Sequence, residues 1–220
     1  MSLKYKVCMF DLDGTLCNTL DSIAYFANKA LVFHGISPIE VNEYKNFLGN
    51  GADMLIRRML NFSLGDYSEE LYKSVRKKYD EFYESEPLKL VEPYEGILEL
   101  LGKLNDMGVK LTVLSNKPDD MTKAVVKGIL GDKFSYVQGQ KKEFPKKPDP
   151  TAPLFILNEI GEKPENCLYL GDSGVDMQTA KNSGFTACGV SWGFRSVEEL
   201  KENGADFIAC TADDILNLFN

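Results

Sequence analysis

Short apolar runs alternate with helical patterns along most of this 220-residue chain, and that alternation narrows the available folds more than anything else in the sequence. Residues 5–10, 109–114, 166–171, 185–190 and 205–209 read as strands. Between them, apolar residues at helical spacing cover 95–107, 119–130, 151–160, 174–183, 196–203 and 212–219. A strand followed repeatedly by a helix predicts a doubly wound parallel sheet of the α/β class, with helices on both faces. Ligands in such folds bind beyond the carboxyl ends of the strands. Residues 17–89 interrupt the pattern with helical stretches around Leu20–Phe33, Asp53–Leu60 and Ser68–Tyr83 and no convincing strand. They read as an inserted all-helical domain, so that 1–16 and 90–220 form the α/β core. Pro87 and Pro93 punctuate the return to the core, where a hinge is expected. Lys73, Arg76, Lys77 and Lys78 read as the solvated face of a helix in the insert.

Several of the apolar runs end in polar tips. The first, Val7-Cys8-Met9-Phe10, leads into Asp11-Leu12-Asp13-Gly14-Thr15. Residues two apart on extended backbone share a face, so Asp11 and Asp13 are expected to converge. Like charges that close need a bound cation or a shared proton, and Mg²⁺ suits oxygen ligands. A plain Asx-type turn uses the same residues, so the pair is informative only in company. That company is Leu114-Ser115-Asn116-Lys117, the proline-held basic loop Lys146-Lys147-Pro148-Asp149-Pro150, and Leu170-Gly171-Asp172-Ser173-Gly174-Val175-Asp176. Taken singly, Ser115 and Asp172 would pass for helix caps, and Lys146 or Lys147 for exposed loop cations.

In these segments the chain resembles the haloacid dehalogenase superfamily of aspartate-nucleophile phosphatases, in its phosphoglycolate phosphatase-like branch with a helical cap. All four motifs occur in the family's order: Asp11-x-Asp13-Gly14-Thr15, Ser115-Asn116-Lys117, Lys147-Pro148-x-Pro150 and Gly171-Asp172-Ser173-x-x-Asp176. Gly189 to Arg195 and Ala205-Asp206-Phe207-Ile208 resemble the stretches that close the core in that branch. Asn18 departs from the pattern, where relatives often carry Asp. The resemblance implies that Asp11 is the nucleophile and Asp13 the acid and base. It also implies that Mg²⁺ is held by Asp11, the Asp13 backbone carbonyl and Asp172, while Asp176 orients a metal-bound water or Lys147. Ser115, the Asn116 backbone N–H and Lys147 would bind phosphoryl oxygens. In the cap, Arg57 is the candidate for reading a second anionic group on the substrate, although Arg57 and Arg58 also fit an exposed helix face. His34, the one histidine, reads as a helix-end residue near Gly35, and Lys117 as pointing toward the cleft.

The expected activity is Mg²⁺-dependent hydrolysis of a small phosphorylated metabolite, phosphoglycolate first, through an aspartyl-phosphate. The alternatives on the same core are a phosphosugar mutase, a pyrophosphatase or a nucleotidase. Dehalogenation does not use Asp13 or a metal, and a phosphonate hydrolase would need a buried cap lysine. A receiver-type regulatory module lacks an insert of this size. There is no GxxxxGK[ST] loop, and Cys188 to Arg195 is one residue too long for a cysteine-phosphatase loop. A net charge of −8 from 33 acidic and 25 basic residues argues against a nucleic-acid surface. Five cysteines without CxxC spacing read as small buried hydrophobes of a cytoplasmic protein, and no membrane span or secretion signal is evident.

Overall fold

The computed structural model describes residues 3–219. Its strands are β1 (Val7–Phe10), β2 (Cys17–Asn18), β3 (Glu92–Pro93), β4 (Lys110–Pro118), β5 (Tyr136–Gln140), β6 (Cys167–Gly171), β7 (Thr186–Val190) and β8 (Phe207–Ala209). Six of them form one parallel sheet in the order β5-β4-β1-β6-β7-β8. β1 is all apolar and fully buried, as a strand covered on both faces must be. Its neighbours are in register, with Phe10 opposite Val113 on β4 and Leu170 on β6. The tips of three adjacent central strands are therefore level, and the chain's order reverses direction between them. Val7, Met9, Leu114, Ile156, Tyr169 and Met177 belong to one continuous buried cluster with the helices on that face.

The chain forms two compact units, Met1–Asn18 with Glu92–Asn220, and Thr19–Val91. The second holds α1 (Leu20–Phe33), α2 (Ala52–Leu64) and α3 (Glu69–Ser85). Apolar side chains recur at helical spacing: Ile23, Phe26, Ala27, Ala30 and Leu31 are buried on α1, and Val75, Tyr79 and Tyr83 on α3. Phe26 and Tyr83 meet at 5.1 Å between ring centroids, joining the two helices. Ser68 starts α3 by accepting a hydrogen bond from the Leu71 N–H. The chain leaves the sheet unit through β2 and returns through β3, which pair antiparallel as a two-residue ribbon.

The sheet unit continues with α4 (Ile97–Asp106), α5 (Asp119–Val125), α6 (Thr151–Glu159), α7 (Gly174–Asn182), α8 (Val197–Glu202) and α9 (Ala212–Asn217). The doubly wound α/β class expected from the alternation is the class observed. Three local differences have physical causes. β5 was not expected, because Tyr-Val-Gln-Gly-Gln has no apolar run; as an edge strand it pairs only with β4. The helix expected over 119–130 tightens into α5 and then widens to π-type turns over Val126–Leu130. β4 extends past its apolar run through Ser115, Asn116 and Lys117, with a register shift against β5 between Leu114 and Pro118. Irregularities of this kind re-aim side chains at strand ends.

Candidate active site

Asp11 is the first residue beyond β1, and its N–H still donates to the Leu170 carbonyl at 2.9 Å, which keeps it level with the tip of β6. From there its Oδ1 reaches the Lys147 ammonium at 2.8 Å. Lys147 comes from the loop between β5 and α6 and binds a second carboxylate, Asp176 Oδ1, at 2.7 Å. Asp176 lies in the first turn of α7, where its Oδ2 accepts from the Ser173 hydroxyl at 2.6 Å and from the Ser173 N–H at 3.2 Å. This reciprocal cap fixes the carboxylate against the helix start. The Tyr169 hydroxyl donates to the same Oδ1 at 3.3 Å.

Asp172 follows β6 and is held by the Phe194 N–H, which donates to its Oδ2 at 2.8 Å. Two glycines leave the slot it occupies. A Cβ on Gly14, whose φ is +86°, would fall 2.3 Å from Asp172 Oδ2, and one on Gly193 would fall 2.2 Å from Asp172 Cβ. Neither position tolerates a side chain while Asp172 stays where it is.

Asp11, Asp172 and Asp176 offer oxygens that all lie within 4.8 Å of one another, and all three residues are buried. Burial, opposed by Lys147 and reinforced by Asp176 and Asp13, pushes the Asp11 carboxyl up to about 7. Burial, then the charges of Asp176 and Asp11, lifts Asp172 well above the ordinary carboxylate range. Burial works against the Lys147 charge, but Asp11 and Asp176 outweigh it and hold the ammonium well above its usual value. One ammonium thus faces three carboxyl groups, and without a further cation the crowding is relieved by holding protons on Asp11 and Asp172. An all-oxygen donor set that gives up those protons fits a hard divalent cation.

Asp13 lies close enough to Asp11 for its charge to help raise the Asp11 carboxyl, yet its own side chain takes a different cation. The strand ends at Phe10, the chain turns back through hydrogen bonds from the Thr15, Leu16 and Cys17 N–H groups to the Leu12 carbonyl, and each acid takes its own lysine. The two Asp13 oxygens lie 3.0 and 3.3 Å from the Lys117 ammonium. Lys117 is thereby given a definite partner 104 positions away, which its sequence neighbourhood alone did not disclose. Ser115 is buried at the same tip, its Oγ accepting from the Lys117 N–H at 3.2 Å. The Asn116 side chain, overlooked in the sequence, pairs with the backbone of Lys147.

In the helical unit, Arg57 sits on α2 with its guanidinium on both Glu69 oxygens, at 2.7 and 3.2 Å, and 3.9 Å from the Tyr72 ring centroid. Arg58 instead ties down the segment before α2, donating to the Phe47 carbonyl and to Asn50 Oδ1. His34 follows α1 and bonds the Ala30 carbonyl and the Ser74 hydroxyl. Among the described residues the five cysteines are free thiols, four of them buried and Cys210 exposed, and no helix is long and apolar enough to cross a membrane.

A parallel sheet with an acid-and-lysine cluster across the tips of its central strands places the chain among α/β enzymes whose site lies at the carboxyl ends of the strands. Residues 8–190 match the family model of haloacid dehalogenase-like hydrolases, and the chain belongs to that family. A phosphoglycolate phosphatase of Vibrio vulnificus is 33% identical over 220 residues, covering 97% of this chain and 95% of the relative. One from Vibrio cholerae is 34% identical over 214 residues, covering 96% and 93%. Among solved structures, a chain from Lactobacillus delbrueckii subsp. bulgaricus, provisionally described as a phosphoglycolate phosphatase, superposes with a TM-score of 0.93. It is 30% identical, with 99% of each chain covered.

Proposed function

We propose that this hydrolase is a Mg²⁺-dependent phosphatase that cleaves a small phosphorylated metabolite, a phosphoglycolate-like monoester, with Asp11 as the transient phosphoryl acceptor. The observation that carries the proposal is the setting of Asp11: buried at a strand tip, bonded to Lys147 and beside Asp172 and Asp176. In the proposed reaction an Asp11 oxygen attacks phosphorus in line with the ester oxygen. The new O–P bond forms as the ester P–O bond breaks, and Asp13 gives its proton to the departing alkoxide. Asp13 next takes a proton from the water that attacks the aspartyl-phosphate, which frees Asp11 and releases inorganic phosphate. The Lys147 ammonium, the Ser115 hydroxyl and the Asn116 N–H would stabilise the phosphoryl oxygens as charge redistributes. Asp11, the Asp13 carbonyl and Asp172 would hold Mg²⁺, with Asp176 steering a water ligand or Lys147. When bound, the cation supplies positive charge against the phosphoryl group.

The helical insert is assigned the choice of substrate. Arg57 would take part only by exchanging the Glu69 carboxylate for one on the substrate, and Glu69→Gln is the variant that releases it. Buried thiols such as Cys8 and Cys167 suit a reducing cytoplasm. A panel of phosphorylated metabolites, assayed for phosphate release with and without Mg²⁺, tests the reading. The expected result is turnover of a small monoester only with the cation, and a loss of about 10⁴-fold or more in Asp11→Asn. Metal-independent turnover, or an active Asp11→Asn enzyme, contradicts it.

A further inference from the structure

The Lys147 ammonium is a useful charge only if it stays between two carboxylates, and its four-carbon stem is too flexible to guarantee that from the side chain alone. Its backbone must be fixed, yet the residue lies in a loop outside helix and strand. The fixing comes from Asn116, 31 positions earlier in the chain. The Lys147 N–H donates to Asn116 Oδ1 at 2.9 Å, and Asn116 Nδ2 donates to the Lys147 carbonyl at 3.4 Å. One primary amide thus satisfies both main-chain groups of one residue, in the manner of a strand partner. Asn116 is itself buried in the irregular stretch of β4, which turns its side chain toward the loop. Asparagine alone suits the position: aspartate has no donor for the carbonyl, and glutamine is one carbon too long. On the far side the loop is tied again, by Asn182 Nδ2 donating to the Pro148 carbonyl at 2.9 Å.

We propose that the Asn116 side chain is a positioning residue for Lys147, holding the loop backbone so that the ammonium is pre-placed against the phosphoryl site. This rests on the reading of Lys147 as a phosphoryl-binding cation. The Asn116 side chain acts through Lys147 and not through its own carboxamide on the substrate, so the effects of removing the two side chains must overlap, while the Asn116 backbone N–H is kept in Asn116→Ala.

The test combines a double-mutant cycle with amide hydrogen exchange on the full chain. Asn116→Ala should lower kcat about 10- to 100-fold with a smaller change in KM, the range seen when a supporting residue behind a functional ligand is removed. In a Lys147→Ala background the same substitution should cost less than about twofold, because the residue it positions is gone. Full activity in Asn116→Ala, or additive losses in the double variant, overturns the proposal. Exchange is read without any turnover: the Lys147 N–H should exchange faster in Asn116→Ala, while the amides of β1 and β6 keep their protection. An unchanged Lys147 amide also overturns the proposal, whatever the kinetics. Because that measurement needs no substrate, it separates a failure here from a failure of the phosphatase reading, which would appear as an active Asp11→Asn enzyme.

Discussion

Two lysines at the same end of the sheet meet aspartates in opposite ways. Lys117 and Asp13 are matched one to one, both carboxylate oxygens on a single ammonium, and the Asp13 side chain keeps 20% of its exposure. Lys147 is outnumbered: Asp11 and Asp176 bond it, Asp172 lies within the same cluster, and the Asp176 side chain is 1% exposed. The matched pair leaves no carboxylate over, whereas the buried cluster has more carboxyl groups than ammonium groups. That contrast supports the proposed roles, Asp13 as acid and base and Asp11 as phosphoryl acceptor.

The largest expected effect comes from breaking the crowded side. Lys147→Ala should lower kcat/KM by about 10²- to 10³-fold, the range for removing a preorganised charge from a transition-state site, as read by steady-state phosphate release. Lys117→Ala should cost less, about 10- to 100-fold, because it leaves Asp13 present and only disorders it. Equal losses in the two variants would erase the distinction drawn between the pairs. The smallest effect sharpens the electrostatics. Without a cation the Asp11 carboxyl titrates at about 7, raised by burial, so a proton must leave before its oxygen can serve as a ligand. Mg²⁺ affinity measured calorimetrically should therefore weaken by about tenfold or more per pH unit as pH falls below 7, the raised Asp172 carboxyl adding to the same dependence. A flat profile from pH 5.5 to 8 would show that Asp11 is not among the ligands.

Much of this arrangement was legible in the sequence because strand tips in a parallel sheet are predictable. Once Val7–Phe10 and Cys167–Gly171 are read as adjacent buried strands, the acids that follow them have to be neighbours. Lys147 could be nominated by its prolines and motif, although its two bonding partners could not. The pairing of Lys117 with Asp13 and of Asn116 with Lys147 joins residues 104 and 31 positions apart, and neither side chain carries a local pattern that points at the other. β5 escaped notice for a related reason: an edge strand can be held by main-chain bonds to one neighbour without an apolar run of its own. Asp11 and Asp13 do feel each other's charge, but that each takes a different lysine could not be read from their spacing on the strand. Gly14 and Gly193 are the quietest contributors, legible as turn residues but not as the walls of the Asp172 slot.

The ribbon formed by β2 and β3 has an architectural consequence. Because Cys17 and Asn18 pair with Pro93 and Glu92, the departing and returning chain are already stapled to each other before the insert begins. From the sheet's side, everything between them is a loop hung on a closed hairpin stem, so its length and content can change without altering strand order. Such a stem makes the scaffold a socket: a different helical module could be plugged in at two adjacent joints, or a tight turn fitted in its place, with the chemistry at the strand tips left wired as before.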